Sequence, residues 1–483
     1  MNSETLEDAM SEGYWKLWNP EVQARIDAEI EQNRKADAVL ALEDVPEGTE
    51  VRVEQLDHAF IFGAHIFNFD QLGTDERNRR YQDLFGTIFN SATIAFYWKQ
   101  FEMEEGQPRF RGEYRDTAEY WNTVAEPKLE PHWRRPATDP VVEFCERKGI
   151  RRHGHTLVWG NARWQMPHWI REKLPAAYRN RLEPIGTSHT DPCAALFKAF
   201  SPAQIEAMLP DYTRMLNYTM AQRILDIALH YKGRLQSWDV VNESATDAAA
   251  GALVPGDGIC KSVYGLMPGD YAYRSLKIAE SVFPGSVQLN INDYKLDPCY
   301  VEQIQDLVAR GCKVDIAGAQ MHIFDPQVCL DIADGRSEVR SPASVREAIE
   351  QLGTTGRPVH LSEITIVAPN NDERGQRIQA VIARNLYRLW FCLKPMMGIT
   401  WWNVVDDCGA PGEPGHSGLF TRDMEPKPAF HALNQLIYHE WKTKLTVRTG
   451  KDGRVAFRGF RGKYRLTWKG ADGQDGERGV DLA

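Results

Sequence analysis

Eight short apolar runs, rich in β-branched and aromatic residues, alternate with longer helix-like segments between residues 58 and 406. The runs are residues 58–67, 87–96, 150–159, 235–243, 286–294, 315–324, 357–366 and 398–406. Helices are predicted between them over residues 141–148, 202–231, 272–282, 301–310, 342–352 and 372–393. Strands separated by helices imply a parallel sheet, and eight of them closed on themselves form a (β/α)8 TIM barrel, an α/β fold. An open doubly wound sheet is the alternative, but no glycine-rich phosphate loop follows the first strand.

The chain of 483 residues is long enough for about two to four domains, although an α/β barrel alone can take about 250 to 400 residues. Residues 1–45 are predicted to form an N-terminal helical extension, because residues 21–42 combine mixed charges with periodic apolar residues. After residue 440, polar and apolar residues alternate around GKDG and RG turns, which predicts a small C-terminal β-hairpin unit over residues 441–483. The barrel is assigned residues 46–440.

The composition narrows the possible partners. A net charge of −10 argues against a nucleic-acid partner, and the sequence has no run of about 18 apolar residues that would predict a membrane span. The first residues lack the regions of a signal peptide, so the chain as written is expected to be cytoplasmic, or secreted or periplasmic if a signal was removed. The eight cysteines show no CxxC spacing and are predicted to be mostly buried free thiols, as suits a reducing compartment. Nothing in the sequence predicts a cofactor or a partner protein.

Two glutamates, Glu243 and Glu363, stand near the ends of two of these predicted strands. The carboxyl ends of barrel strands meet at one rim, so two such carboxylates can face each other across a pocket. Glycoside hydrolysis needs such a pair: one acid protonates the leaving oxygen, and the other attacks the sugar carbon or activates water. Burial after the run WDVV is expected to raise the pKa of Glu243 and keep it protonated as a general acid, whereas Glu363 needs hydrogen-bond donors to stay ionised. For either glutamate, the alternative is a structural carboxylate paired with a lysine or arginine.

Seven further polar and aromatic residues lie near the ends of the predicted strands and are candidates for binding a sugar. His322 is a candidate donor to Glu363, although a lone histidine at a strand end is more often structural. Trp159 and Trp402 offer stacking faces, and Lys99 offers a cation for a sugar hydroxyl. The predicted substrate-binding residues are Lys99, His155, Trp159, Asn242, Gln320, His322 and Trp402.

A loose group of acidic residues, cysteine and histidine stands at the end of the last predicted strand and after it, at Asp406, Asp407, Cys408, Glu413 and His416. Its spacing matches no standard metal site. The intervening glycines and prolines are typical of a loop, so no metal is predicted.

Six segments, GHTLVW, WDVVNE, INDY, QMH, LSEITI and ITWW, stand in this order along the chain. In these segments the chain resembles glycoside hydrolase family 10, the retaining endo-β-1,4-xylanases, over most of residues 50 to 440. The resemblance implies a barrel in which Glu243 is the acid/base and Glu363 the nucleophile, with the two carboxylates about 5 to 5.5 Å apart. It places the seven substrate-binding candidates around the reactive sugar. It also implies hydrolysis of β-1,4-xylosidic bonds in xylan or xylo-oligosaccharides.

The sequence departs from the family pattern at several positions beside the predicted site. The family typically has a Glu-Asn pair that grips the neighbouring sugar where this chain has Ala95 and Phe96. A family histidine and glutamine are replaced by Gly160 and Ala162, and the family's second tryptophan falls near Ala410. These changes remove contacts on the glycone side, so we expect altered specificity with the catalytic chemistry retained.

The long connections at residues 120–140 and 170–201 are predicted to be functional or lid-like. The first is rich in tryptophan and arginine and is expected to form a different subsite or to block one end of the cleft. A blocked cleft would favour short oligosaccharides or attack at chain ends. Three alternatives stay open: a retaining hydrolase for another β-glycan, a non-catalytic carbohydrate-binding barrel, and a metal-dependent barrel hydrolase. The presence of both carboxylates argues against a protein that only binds sugar.

Overall fold

The core of the molecule is a closed barrel of parallel strands. The computed structural model describes residues 8–129, 134–186, 191–470 and 473–483, and in it the eight barrel strands neighbour each other in chain order. They are β1 (Ile61–His65), β2 (Ser91–Ala95), β3 (Arg151–Val158), β4 (Ser237–Asn242), β5 (Gln288–Asp293), β6 (Ile316–Ile323), β7 (Val359–Ile366) and β8 (Met396–Trp401). Each of the eight predicted runs overlaps one of these strands, which confirms the (β/α)8 barrel.

A helix follows every barrel strand along the chain. These helices are Asp75–Asp83, Thr138–Lys148, Pro210–Tyr231, Tyr271–Val282, Pro298–Ala309, Pro342–Gly353, Glu373–Cys392 and Pro428–Asn434. Two of them, Pro298–Ala309 and Pro342–Gly353, begin with a proline behind a capping side chain, because proline lacks the N–H that a helix start leaves unbonded. Shorter helices occupy the connections at Trp98–Phe101, Ala118–Trp121, His168–Glu172, Ala176–Arg179, Pro192–Leu196, Pro202–Met208, Ala245–Ala249 and Pro326–Ala333.

The N-terminal segment contains helices Glu12–Leu17 and Pro20–Arg34, and the second packs against the barrel helix Glu373–Cys392. The helix predicted over residues 21–42 is wrong beyond Arg34, because Lys35–Ala41 is a strand. It pairs antiparallel with Arg454–Phe460, more than 400 positions away along the chain. This pairing buries one face of the short run and outweighs its local helical preference.

The C-terminal residues form the predicted β unit, with strands Lys444–Arg448, Arg454–Phe460, Gly462–Lys469 and Asp475–Leu482. Three of these strands join Glu50–His58 in a four-stranded antiparallel sheet, so N-terminal residues complete the unit. The sheet has a small core of its own, which includes Val51, Val53, Val455, Tyr464 and Leu466. The division of the chain at residues 45 and 440 stays a prediction.

All eight cysteines are free thiols and seven of them are buried, as the sequence predicted. Burial raises the pKa of several of these thiols, that of Cys312 to about 11. No helix in the described part of the chain is both long and apolar enough to cross a membrane.

A buried ion pair secures the connection after β8. Lys427 Nζ lies 3.0 and 3.1 Å from the two carboxylate oxygens of Asp406, and the backbone N–H of Gly418 donates to Asp406 Oδ1 at 2.7 Å. Burial raises the pKa of Asp406 and lowers that of Lys427, so the cost of removing both charges from water exceeds their mutual attraction. Each charge therefore depends on the other to stay in the interior.

Replacing Lys427 by methionine should reduce the free energy of unfolding by about 3 to 5 kcal/mol, because Asp406 would be left as an unpaired buried charge. The measurement is the shift of the denaturant midpoint at constant slope. The matched control is the double variant Asp406→Asn/Lys427→Met, in which asparagine still accepts from Gly418. The double variant should be more stable than the single one, and equal losses in both would contradict this account.

Candidate active site

Glu243 and Glu363 lie at the same rim of the barrel. Glu243 directly follows β4, and Glu363 lies in the second half of β7, on the far side of the ring of strands. The carboxyl ends of all eight parallel strands face this rim, which is where barrel proteins build their sites. The strand assignment therefore places both glutamates at the mouth of the barrel.

A chain of hydrogen bonds connects the two glutamates. Gln320 Nε2 donates to Glu243 Oε1 (3.1 Å) and to Asn242 Oδ1 (3.3 Å). Asn292 Nδ2 donates to the same Asn242 oxygen (2.9 Å) and to Glu363 Oε1 (2.8 Å). These amides are buried, so the network fixes the two carboxylates relative to each other.

Glu243 has a strained backbone. Its φ of 56° lies in the left-handed region, which costs a residue other than glycine about 1 to 3 kcal/mol and persists only where surrounding contacts enforce it. Its backbone N–H donates to the carbonyl oxygen of Asn292 at 2.7 Å. Its carboxylate accepts from the hydroxyl of Tyr264 at 2.9 Å, in addition to the bond from Gln320. The strained backbone of Glu243 thus coincides with a carboxylate that hydrogen bonds from Tyr264 and Gln320 hold in place.

The pKa of Glu243 is raised to about 7. Burial is the main cause, and the negative charge of Glu363 is the next. The hydrogen bonds from Gln320 and Tyr264 act in the opposite direction and lower this pKa. A carboxyl group with a pKa near 7 is protonated in a large fraction of molecules at neutral pH, which is what a general acid requires.

Glu363 is surrounded by donors. Asn292 donates to Oε1, and His322 Nε2 donates to Oε2 at 3.3 Å. His322 is oriented by a 2.8 Å contact between its Nδ1 and the hydroxyl of Thr365. His155 Nε2 lies 3.8 Å from Glu363 Oε1. This arrangement suits an ionised carboxylate, since such a group accepts hydrogen bonds and donates none.

A buried aspartate orients His155. Asp239 Oδ2 lies 2.9 Å from His155 Nδ1 and 2.9 Å from His153 Nε2. Burial alone would lower the pKa of His155, but the charges of Glu363 and Asp239 outweigh it and raise this pKa. Burial likewise opposes ionisation of Asp239, yet the two histidines hold its pKa below the ordinary value. The site therefore favours a positive charge on His155 beside Glu363.

Trp402 forms one side of the pocket. Its ring lies edge-on to His155 (centroids 5.4 Å apart) and to His322 (6.0 Å), and its Nε1 donates to Glu413 Oε1 at 3.2 Å. Glu413 also accepts from Asn403 Nδ2 at 3.1 Å. Glu413 thus orients Trp402. Among the described residues, no group of His, Cys, Asp and Glu is arranged to hold a metal ion.

The residues predicted from the sequence do not all contact the two glutamates. Four of them belong to the contacts described above: Asn242, Gln320, His322 and His155. Trp159 instead packs edge-on against Tyr264, with ring centroids 6.4 Å apart. Lys99 differs, since its Nζ donates to the carbonyl oxygen of Arg163 at 3.0 Å. The roles of all seven in binding substrate stay predictions.

Two residues that contact the glutamates were not predicted from the sequence. Asn292 is a polar residue inside the otherwise apolar run of β5, and that contrast was a usable signal. Tyr264 lies between the short strands Ile259–Ser262 and Gly265–Pro268, which are inserted after β4 and carry no such signal. Gly160 makes room for it, because a Cβ at this position would lie 2.9 Å from the Tyr264 ring. The Tyr264 ring therefore occupies the space that a side chain at position 160 would need.

The whole chain was compared with known proteins. Residues 57–436 match the model of glycosyl hydrolase family 10. The endo-1,4-beta-xylanase C of Paenibacillus barcinonensis is 23% identical over 439 residues, covering 83% of this chain and 34% of that protein. An anti-sigma-I factor of Acetivibrio thermocellus is 23% identical over 330 residues, 68% of this chain and 34% of that protein. The chain thus spans about a third of the length of these two relatives.

A third relative is covered more completely. The endo-1,4-beta-xylanase B of Thermotoga neapolitana is 22% identical over 337 residues, 67% of this chain and 80% of that protein. Among solved structures, native xylanase 10B of Thermotoga maritima superposes with a TM-score of 0.54 at 19% identity, covering 79% of this chain and 96% of that one. That likeness supports the barrel fold, and the family match extends over most of the chain. The chain belongs to glycosyl hydrolase family 10.

Proposed function

We propose that the protein is a retaining β-glycoside hydrolase that cleaves β-1,4-xylosidic bonds in xylan or xylo-oligosaccharides. The observation that carries the proposal is the pairing of a buried carboxyl, Glu243, whose pKa is about 7, with Glu363, a carboxylate surrounded by donors. This division of roles is the one that retaining glycosidases use. The xylan substrate rests on the names of relatives that are 22 to 23% identical.

In the first step, Glu363 attacks the anomeric carbon while Glu243 gives its proton to the oxygen of the departing sugar. The glycosidic bond breaks and an ester between the sugar and Glu363 forms, through a transition state that resembles an oxocarbenium ion. Asn292 and His322 keep the oxygens of Glu363 directed by their hydrogen bonds. The Tyr264 and Gln320 contacts do the same for Glu243.

In the second step, Glu243 removes a proton from water, and the water oxygen attacks the anomeric carbon and releases Glu363. The same residue can serve as acid and then as base because the charge of Glu363 disappears when the ester forms. That charge is the second contribution to the raised pKa of Glu243. Its loss lowers the pKa of Glu243 and converts the acid into a base at the time it is needed.

The primary test is mass-spectrometric product analysis on xylan, linear and branched xylo-oligosaccharides, and oligomers of other β-glycans. Cleavage of xylo-oligosaccharides is expected, with loss of all activity in Glu363→Ala and normal activity in Glu347→Ala, a matched change on the exposed outside of the barrel. Proton NMR of the first product should show the β-anomer. Cleavage confined to another glycan would replace xylan as the substrate. Binding of sugars without turnover on any of them would instead favour a carbohydrate-binding barrel.

The acid/base role of Glu243 predicts a dependence on the leaving group. Glu243→Ala should lower kcat/KM by about 10² to 10⁴-fold on xylo-oligosaccharides, whose departing sugar needs a proton. On aryl glycosides with acidic phenols the loss in the first step should be much smaller, because these groups leave unprotonated. Losses of equal size on both classes would exclude Glu243 as the acid.

The raised pKa of Glu243 predicts a pH profile. Since the acid must be protonated, kcat/KM for xylo-oligosaccharides should fall as the pH rises through about 7. In Tyr264→Phe the hydrogen bond that lowers this pKa is lost, so the alkaline limb should move to higher pH. The exposed Tyr218, changed to phenylalanine in the same way, is the control and should leave the profile unchanged. A downward shift in Tyr264→Phe would contradict this account of Glu243.

A further inference from the structure

Three residues, Phe67, Tyr97 and Arg135, which we call the rim wall, pack together beside Trp402 on one side of the catalytic pair. Phe67 follows β1 and meets Trp402 edge-on, with ring centroids 5.2 Å apart. Tyr97 follows β2 and meets Phe67 edge-on at 5.8 Å. The Arg135 guanidinium lies 4.8 Å from the Phe67 centroid. The wall therefore connects β1, β2 and the long connection after β2 directly beside Trp402.

The wall is anchored by buried ion pairs. Asp116 pairs with Arg134 at 2.9 Å and also with Arg109. Arg109 donates in turn to the carbonyl oxygen of Arg135 at 3.3 Å, and the backbone N–H of Arg135 donates to Gln100 Oε1 at 3.3 Å. All four charged side chains are buried, and breaking a buried pair is costly because it leaves an uncompensated charge. The wall is thus a fixed part of the fold.

Little space remains behind the wall. Ala95 stands where the resemblance puts a sugar-gripping glutamate, and the neighbouring Phe96 is buried against Trp238, with ring centroids 4.6 Å apart. The cavity beside Ala95 measures about 10 Å³ and is bounded by Tyr97, Gln100, Arg109, Arg135 and Pro136. Such a volume holds about one water molecule, whereas pockets for small organic ligands measure about 300 to 1,000 Å³. This cavity is too small for a sugar ring.

On the other side of the catalytic pair, the described residues include two exposed aromatic rings. Tyr294 follows β5 and is 54% exposed. Partial burial and the nearby charge of Glu243 raise its pKa. Phe324 follows β6, is 39% exposed, and stacks on His322 with ring centroids 4.3 Å apart. Exposed aromatic faces at a rim can stack on sugar rings.

The chemistry of the catalytic pair decides which part of the substrate lies on which side. The attacked sugar stays with Glu363, and the departing part leaves from Glu243. The backbone N–H of Glu243 donates to the carbonyl oxygen of Asn292, two residues before the exposed Tyr294. We propose that the rim wall ends the cleft one sugar beyond the point of cleavage, so that the enzyme removes single sugars from the non-reducing ends of short β-linked oligosaccharides. This inference rests on the proposed hydrolase function.

The direction of attack follows from the bond that is cleaved. The sugar held by Glu363 is attacked at its anomeric carbon, so its own non-reducing end faces the wall. Hydrolysis adds one water across the bond, giving a free monosaccharide and an oligosaccharide one unit shorter that keeps the original reducing end. A cleft open at both ends would instead cut within the chain.

The test compares 4-nitrophenyl β-xyloside with 4-nitrophenyl β-xylobioside, together with the glucoside and cellobioside pair. From the biosides, the first product should be a monosaccharide, and nitrophenol should appear only after the monoglycoside has formed. Simultaneous first release of nitrophenol and an intact disaccharide would overturn the inference and support the hydrolase proposal. No cleavage of any of the four would overturn both.

Opening the wall should change the products. In Phe67→Ala the release of intact disaccharide relative to monosaccharide should rise by at least about tenfold, because a second sugar gains room beside Trp402. Tyr114→Ala, at an exposed tyrosine between β2 and the helix Thr138–Lys148, is the control and should leave the ratio unchanged. Folding is checked by thermal melting, and Arg135→Ala provides a second opening should Phe67→Ala fail to fold. An unchanged product ratio in a folded wall variant would exclude the wall as the cause.

Discussion

Burial of two carboxylates at the barrel mouth, and the repulsion between them, organise the site. The result is the raised pKa of Glu243. The surrounding amides and histidines each contact one of the two carboxylates. Asn292 and His322 serve Glu363, while Gln320 serves Glu243 and is linked back through Asn242. Without the closed barrel, β4 and β7 would not bring these groups together, so the fold determines the electrostatics.

The barrel was predictable because its signal is local. Buried parallel strands are continuous apolar runs, and each of the eight could be recognised from its own residues. The N-terminal strand Lys35–Ala41 was predicted as a helix because its partner, Arg454–Phe460, lies at the other end of the chain. Its burial depends on that distant partner, and no window of neighbouring residues contains this information.

The same contrast between local signals and distant partners applies to the site. Glu243 and Glu363 could be proposed from their positions near strand ends, and the connection at 120–140 was expected to form a different subsite or to block one end of the cleft. The contact of Tyr264 with Glu243 and the packing of Arg135 on Phe67 could not be foreseen. Each of these contacts joins segments that are far apart along the chain: Tyr264 reaches Glu243 from an inserted hairpin, and Arg135 reaches Phe67 from a long connection. Gly160 is the instructive case, since its missing side chain was visible in the sequence but the ring that fills the space was not.

The pairing of N-terminal and C-terminal strands has a consequence for how the chain folds. During synthesis, Lys35–Ala41 emerges from the ribosome hundreds of residues before Arg454–Phe460. Glu50–His58 is likewise synthesised long before its partner strand Gly462–Lys469. Until then these strands expose unpaired backbone groups, which is a state prone to wrong pairing between chains. This sheet can therefore be completed only after Gly462–Lys469 has been synthesised, and contacts of such large sequence separation form slowly.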